Sequence, residues 1–306
     1  MSRPLIISMP GNEAMAAALV ANLGGDIGTV ETRRFPDSET YLRFKTSIAG
    51  RAVAIICALD QPDEKFLRLA FAAAAARDLG AANVGLVASY LAYMRQDRRF
   101  KDGEAVTSRE FARLISSEFD WLVTVDPHLH RYASLDELYT IPSRVVRAAP
   151  ALSRWIRENV VRPLVIGPDS ESEQWVGTVA SLANCPHVVL NKSRFGDRDV
   201  KITVPDLSPW LDRGPVLIDD IVSSGRTMIE ACREIVASGL AAPTCIAIHP
   251  LFSSAAYQAL KAVSARIVTT NAVVHESNGI DISALIAAEM AVLNAATLSH
   301  VAPRTT

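Results

Sequence analysis

The sequence predicts an α/β protein of two successive, mainly parallel sheets flanked by helices, and three observations predict it. Short β-branched runs recur along the chain: LIIS (5–8), AVAIIC (52–57), NVGLVA (83–88), WLVTVD (121–126), PLVIG (163–167), HVVLN (187–191), PVLIDD (215–220), CIAIH (245–249) and RIVTT (266–270). Continuous apolar runs of this length suit strands buried on both faces. Between them lie longer stretches such as 64–80 and 227–240, whose apolar residues recur at three and four and whose ends carry glycine, as helices do. That alternation implies parallel sheets with helices on both faces.

The third observation is that the series is interrupted around PALSRWIRENV (150–160) and then starts again. A chain of 306 residues is long for one core and comfortable for two. Domains are therefore expected over 1–145 and 146–306, with a cleft between them and a last helix, within 275–293, free to pack back on the first. Ligand sites in such sheets collect just past the carboxyl ends of strands and at domain interfaces.

Composition narrows the function. Thirty-one Lys plus Arg against 33 Asp plus Glu leave a net charge of −2, too little positive field to hold duplex DNA by its phosphates. No run approaches the ~20 apolar residues of a membrane span, and the N-terminus has no secretory apolar region, so a cytoplasmic protein is expected. Cys57, Cys185, Cys232 and Cys245 form no C-x-x-C pair and sit in apolar or mixed runs, which reads as free thiols in the core.

The clearest chemistry lies in PVLIDDIVSSGRTMIEA (215–231). A buried strand runs into Asp219 and Asp220, followed by Ser223, Ser224, Gly225, Arg226 and Thr227 at the start of a helix. Gly225 permits close backbone approach, the hydroxyls donate, and the helix N-terminus favours an anion, so this is a phosphate cradle. The two carboxylates would repel phosphate and suit instead the vicinal hydroxyls of a ribose, or a Mg²⁺ bridging sugar and pyrophosphate. Two acids after an apolar strand exceed what a simple helix cap requires.

The loop resembles the phosphoribosyl pyrophosphate loop of type I phosphoribosyltransferases and of phosphoribosyl pyrophosphate synthetases. A second segment separates makers from users. ASYLAYMRQDRRFKDGEAVTSREFARLI (88–115) resembles the ATP-binding segment of ribose-phosphate pyrophosphokinases, with Tyr93, Arg95, Gln96, Asp97, Arg98 and Glu104 at the matching places. Upstream, Phe35, Asp37 and Glu39 in RRFPDSETYLRF match the family's adenine loop, which reaches the ATP site of a neighbouring subunit. The side chains suit these roles: Arg95 and Arg98 can grip polyphosphate oxygens, Phe35 can stack on a purine, and Asp37 or Glu39 can accept from its exocyclic amine.

Three further segments follow in the family's order. Asp126 and His128 match its D-x-H after a strand, His128 being the position associated with Mg²⁺ and ATP phosphates; His130, on the same turn, has no firm counterpart. Asp169 falls at the metal-binding aspartate, although Ser170, Glu171, Ser172 and Glu173 replace the usual glycines. Lys192 and Arg194 match the K-x-R at the mouth of a mobile loop, with Gly196 and Asp197 as turn residues. Within the cradle, Ser223 stands where many relatives have Asp and Arg226 where Gly is usual.

The resemblance implies two tandem type I phosphoribosyltransferase-like domains. It implies ATP-dependent pyrophosphoryl transfer to the C1 hydroxyl of ribose 5-phosphate, with Lys192 and Arg194 catalytic. Mg²⁺ would lie at His128 and Asp169, with Asp126, Asp219 and Asp220 as further candidate ligands. An adenine loop shared between chains implies a homo-oligomer, a dimer or a multiple of dimers. Two rival readings use the same cradle: a phosphoribosyltransferase that consumes phosphoribosyl pyrophosphate, and a non-catalytic regulatory relative of the synthetase. The first has no need of the RQDR segment, and the second has little need of the whole set from His128 to Asp220.

Overall fold

The computed structural model describes residues 3–129, 131–195 and 199–299, and for 171, 174, 192–195, 199–203 and 294–299 the backbone alone. Residues up to Val146, together with the helix that begins at Ser283, form one unit; residues 147–282 form the other.

In chain order the first unit contains β1 (Leu5–Ser8), α1 (Glu13–Leu23), β2 (Asp26–Gly28), β3 (Val30–Arg34), β4 (Thr40–Phe44), β5 (Ala52–Ile56), α2 (Pro62–Asp78), β6 (Asn83–Ala88), α3 (Thr107–Glu118), β7 (Trp121–Val125) and β8 (Ser143–Val146). The second contains α4 (Ala149–Asn159), β9 (Pro163–Gly167), α5 (Glu173–Ala183), β10 (His187–Val189), β11 (Asn191–Phe195), β12 (Asp199–Thr203), β13 (Gly214–Val222), α6 (Arg226–Ala237), β14 (Thr244–Pro250), α7 (Ser254–Lys261), β15 (Arg266–Thr270) and β16 (Asn278–Ile280). The chain returns to the first unit as α8 (Ser283–Ser299), which packs on α1, β7 and β8.

Six strands make a parallel sheet in each unit, in the orders β2-β1-β5-β6-β7-β8 and β10-β9-β13-β14-β15-β16. Each unit also carries an antiparallel hairpin at the same point in its topology, β3–β4 before β5 and β11–β12 before β13. The long apolar runs become the central strands because both faces are covered: Leu5, Ile55, Leu86 and Leu122 in one sheet, and Leu164, Leu217 and Ile246 in the other, are fully buried. Helix ends follow local chemistry. Pro62 opens α2 with Asp63 and Glu64 in its first turn, and Gly24 closes α1 at φ 67.

Several elements lie outside the expected strand series. The edge strands β2, β8 and β16 are three or four residues long, and both hairpins are polar, so neither shows the continuous apolar run of a central strand. The run 187–191 does not continue as one strand, since β10 ends at Val189 and the chain turns into β11. Of the four cysteines, Cys57, Cys232 and Cys245 are buried, while Cys185 is only half-buried, a correction to its reading as core. Burial pushes the Cys57 thiol up to about 12. Among the described residues no helix is long and apolar enough to cross a membrane.

Candidate active site

Parallel pairing sends every loop that follows a strand to the same edge of its sheet, which is why residues far apart in sequence meet there. In the second unit β13 lies between β9 and β14, with Asp219 opposite Ala247. Asp219 and Asp220 are within β13 itself, half-buried at its carboxyl end. The Asp220 N–H donates to Asp219 Oδ1 at 3.0 Å, and the Ile221 N–H donates to Asp220 Oδ1 at 2.8 Å. Burial first, then the charges of Asp220 and Asp169, hold the Asp219 carboxyl well above the usual carboxylate range. The sheet thus brings Asp169, which follows β9, into electrostatic reach of the pair.

From β13 the chain passes through Ser223 and Ser224 to Gly225, whose φ of +70 starts α6. Ser224 and Arg226 are exposed, and Ser223 and Thr227 are half-buried. The first turn of α6 contains no acid and begins with Arg226, a cation set against the positive end of the helix dipole. That arrangement is unfavourable alone and favourable once an anion sits between the two.

After Asp169 the chain closes a self-bonded turn. Ser172 Oγ donates to the Asp169 carbonyl at 2.6 Å. Gly167 makes room for it, since a β-carbon there would lie 2.3 Å from Ser172 Oγ.

In the first unit, β6 and β7 are neighbours and deliver two segments side by side. Tyr93, after β6, has a left-handed φ of 62, and its hydroxyl donates to Asp63, the first cause of a pKa pushed up to about 12. Arg95 and Arg98 are exposed. Gln96 and Glu104 are used inside the segment: Gln96 Oε1 accepts from Thr107 Oγ1 at 3.1 Å, and Glu104 Oε2 accepts the N–H groups of Phe100 and Lys101 at 2.7 and 3.1 Å. Asp97 is buried and paired with Arg131. After β7, Asp126 takes a strained φ of 31, and both it and His128 are half-buried.

Phe35, Asp37 and Glu39 are exposed at the turn of the β3–β4 hairpin, where the Glu39 N–H donates to Asp37 Oδ1 at 3.2 Å. Arg33 stacks on Phe35 and Tyr41, 4.6 and 4.3 Å from their ring centroids. Lys192 and Arg194 lie on β11 opposite Ile202 and Val200, with side chains outside the described residues. His130, Gly196 and Asp197 are also outside them.

Among the described residues no three acidic, His or Cys side chains converge into a complete metal site. A cation relieving the crowded charges of Asp169, Asp219 and Asp220 would draw its other ligands from substrate oxygens and water, as Mg²⁺ commonly does. The donor set is oxygen-rich and fits that ion. Sequence reasoning missed Arg131, Phe100 and Tyr132, which surround the RQDR segment. The available signal was Asp97 itself, because a carboxylate beside a buried strand requires a cationic partner.

The parallel sheets and the acid-to-glycine cradle define a phosphoribosyltransferase-type α/β protein. Family models agree: residues 134–283 match a phosphoribosyl transferase domain, and residues 5–118 match the N-terminal domain of ribose phosphate pyrophosphokinase. Curated proteins called ribose-phosphate pyrophosphokinase are similar over most of the chain. The one from Methanothermobacter thermautotrophicus is 30% identical, covering 92% of this chain and 98% of its own. That from Saccharolobus solfataricus is 32% identical, covering 80% and 84%. A phosphoribosylpyrophosphate synthetase structure from Mycobacterium smegmatis shares the fold, with a TM-score of 0.83 at 21% identity over 96% of this chain and 100% of that one. The chain belongs to the ribose-phosphate pyrophosphokinase family.

Proposed function

We propose that this chain transfers the pyrophosphoryl group of ATP to the C1 hydroxyl of ribose 5-phosphate. The C1 oxygen attacks the β-phosphorus in line, the bond from that phosphorus to the oxygen bridging to the α-phosphate breaks, and AMP leaves. The observation that carries this reading is the presence in one chain of the run of Asp219 and Asp220 into left-handed Gly225 at the acid-free start of α6, and of a first unit matching the N-terminal domain of ribose phosphate pyrophosphokinase. Such a site offers carboxylates to ribose hydroxyls and a positive helix end to the 5-phosphate, with Ser223, Ser224, Thr227 and Arg226 as donors.

On the nucleotide side, exposed Arg95 and Arg98 are available to the polyphosphate. Lys192 and Arg194 would neutralise charge as the transfer proceeds, because phosphoryl-type reactions depend on positioning and electrostatics rather than on a protein nucleophile. In the second unit Asp169, Asp219 and Asp220 would offer oxygens to Mg²⁺, which would neutralise phosphate charge and acidify the C1 hydroxyl; in the first, His128 and Asp126 are the candidate ligands. Phe35, exposed at the hairpin turn, suits stacking on the adenine of a neighbouring copy, which makes the working form at least a dimer.

Incubation of the protein with ATP, ribose 5-phosphate and Mg²⁺ is expected to yield AMP and phosphoribosyl pyrophosphate in equal amounts. Absence of AMP from folded protein would sink this reading, and pyrophosphate released from phosphoribosyl pyrophosphate and a base without ATP would favour a transferase. Lys192→Ala is expected to lower kcat far more than it weakens ATP binding.

A further inference from the structure

Asp97 sits in the RQDR segment, yet its carboxylate points into the protein. Its side chain is 3% exposed, and both oxygens accept from Arg131 Nη1, at 2.9 and 2.8 Å. Arg131 belongs to the other segment, past His128 after β7. The two segments are joined twice more. Tyr132 Oη donates to the Asp97 carbonyl at 3.1 Å, and the Arg131 guanidinium lies 5.7 Å from the centre of Phe100. Arg98 lies 4.8 Å from the same ring, and Arg109 Nε donates to Tyr132 Oη at 3.4 Å.

We infer that Arg131 is a positioning residue for nucleotide phosphates, acting through Asp97 and Phe100 on Arg95 and Arg98. This rests on the reading of the chain as an ATP-dependent pyrophosphokinase. A buried carboxylate flanked in sequence by Arg95 and Arg98 must be neutralised by some cation. With Arg131 in place, those two guanidiniums are left to polyphosphate; without it, Asp97 competes with the ligand for them. Arg131 and Arg98 also bear on one ring, so the first fixes the surface against which the second lies. The contact with Asp97 runs through a single nitrogen, and a lysine ammonium can reproduce it. A lysine does not supply the planar guanidinium that lies 5.7 Å from the centre of Phe100.

The test is calorimetric binding of Mg-ATP, together with steady-state kinetics, on the full-length wild type, R131A, R131K and R131A/D97N. R131A is expected to weaken ATP binding and raise KM for ATP by ~ten-fold or more, with kcat and KM for ribose 5-phosphate changed less than about two-fold. R131K is expected to recover most of the loss, and D97N added to R131A to recover part of it by removing the competing carboxylate. Unchanged ATP affinity in R131A overturns the proposal. So does a parallel decline of kcat, both Michaelis constants and Tm, which would make Arg131 merely structural. A wild type that binds ATP but forms no AMP removes the functional reading, and the affinity of R131A then decides the positioning role by itself. A wild type that binds no ATP overturns both.

Discussion

Gln61 and Gly225 both take a left-handed φ at the same place in two sheets. φ is 55 at Gln61 and 70 at Gly225, and each starts the helix that follows the third strand in its sheet, α2 after β5 and α6 after β13. Counted back equally from the two caps, Asp219 and Asp220 answer to Ile55 and Ile56. The first unit thus keeps the turn and discards the carboxylates. It also places Asp60, Pro62, Asp63 and Glu64 around the helix start, removing an N–H donor and repelling anions, while Lys65 is held by Asp60 and the Ala58 carbonyl. One architecture therefore offers an acid-free helix start in one unit and an acid-lined one in the other.

The two caps should respond oppositely to substitution. A β-carbon at Gly225 meets nothing closer than 3.6 Å, so Gly225→Ala has room, and its cost is the left-handed backbone, ~1–2 kcal/mol. Thermal unfolding should show that loss, and KM for ribose 5-phosphate should rise as the start of α6 shifts. Gln61→Gly relieves the same conformation and should stabilise by up to ~1 kcal/mol with unchanged turnover. Stabilisation by Gly225→Ala would show that the φ of this cap is not what the cradle needs.

Asp219 makes a pH-dependent prediction. A carboxyl whose folded pKa is raised binds its proton more tightly in the folded than in the unfolded chain, so it lowers stability as pH rises from the ordinary carboxylate range through the raised value. Asp219→Asn removes that penalty. The ligand-free variant should unfold at a higher temperature than wild type, by a margin that grows with pH across this window, while catalysis is lost. Mg²⁺ with ribose 5-phosphate should narrow the margin by stabilising only the wild type. A variant less stable than wild type at neutral pH would mean that the carboxylates are not strained against one another.

Gly85 tests how tightly β6 and β7 are packed against each other. It lies directly opposite Trp121 in the β6–β7 pair, and a β-carbon there would stand 1.8 Å from the indole Cε2. Gly85→Ala should cost ~3 kcal/mol or more by overpacking, seen as a lower denaturant midpoint. Trp121→Leu in the same chain should restore part of the loss. Additive destabilisation by the two changes would show that the indole is not the obstacle.

Much of this was legible in the sequence because its causes are local. Apolar runs buried on both faces announced the central strands, and Asp219, Asp220 and Gly225 could be read together because a strand, a turn and a helix start are contiguous in the chain. The short strands β2, β8 and β16 could not be read so easily, since they carry too few residues for a hydrophobic pattern and are defined by their neighbours. Asp97 illustrates the same limit at the site: its motif suggested a ligand contact, whereas Arg131, reached only through the pairing of β6 with β7, engages its carboxylate.

By itself, then, the sequence determined the α/β class, the repeated series and the chemical types gathered after each strand, because backbone periodicity and turn chemistry act within a few residues. Tertiary structure alone decided that α8 joins the first unit, that Gln61 and Gly225 occupy equivalent places in the two sheets, and that Asp169, past the end of β9, bears on Asp219 in β13. Burial and Coulomb interaction depend on distance in space, and parallel pairing brings together strand ends that the chain keeps far apart.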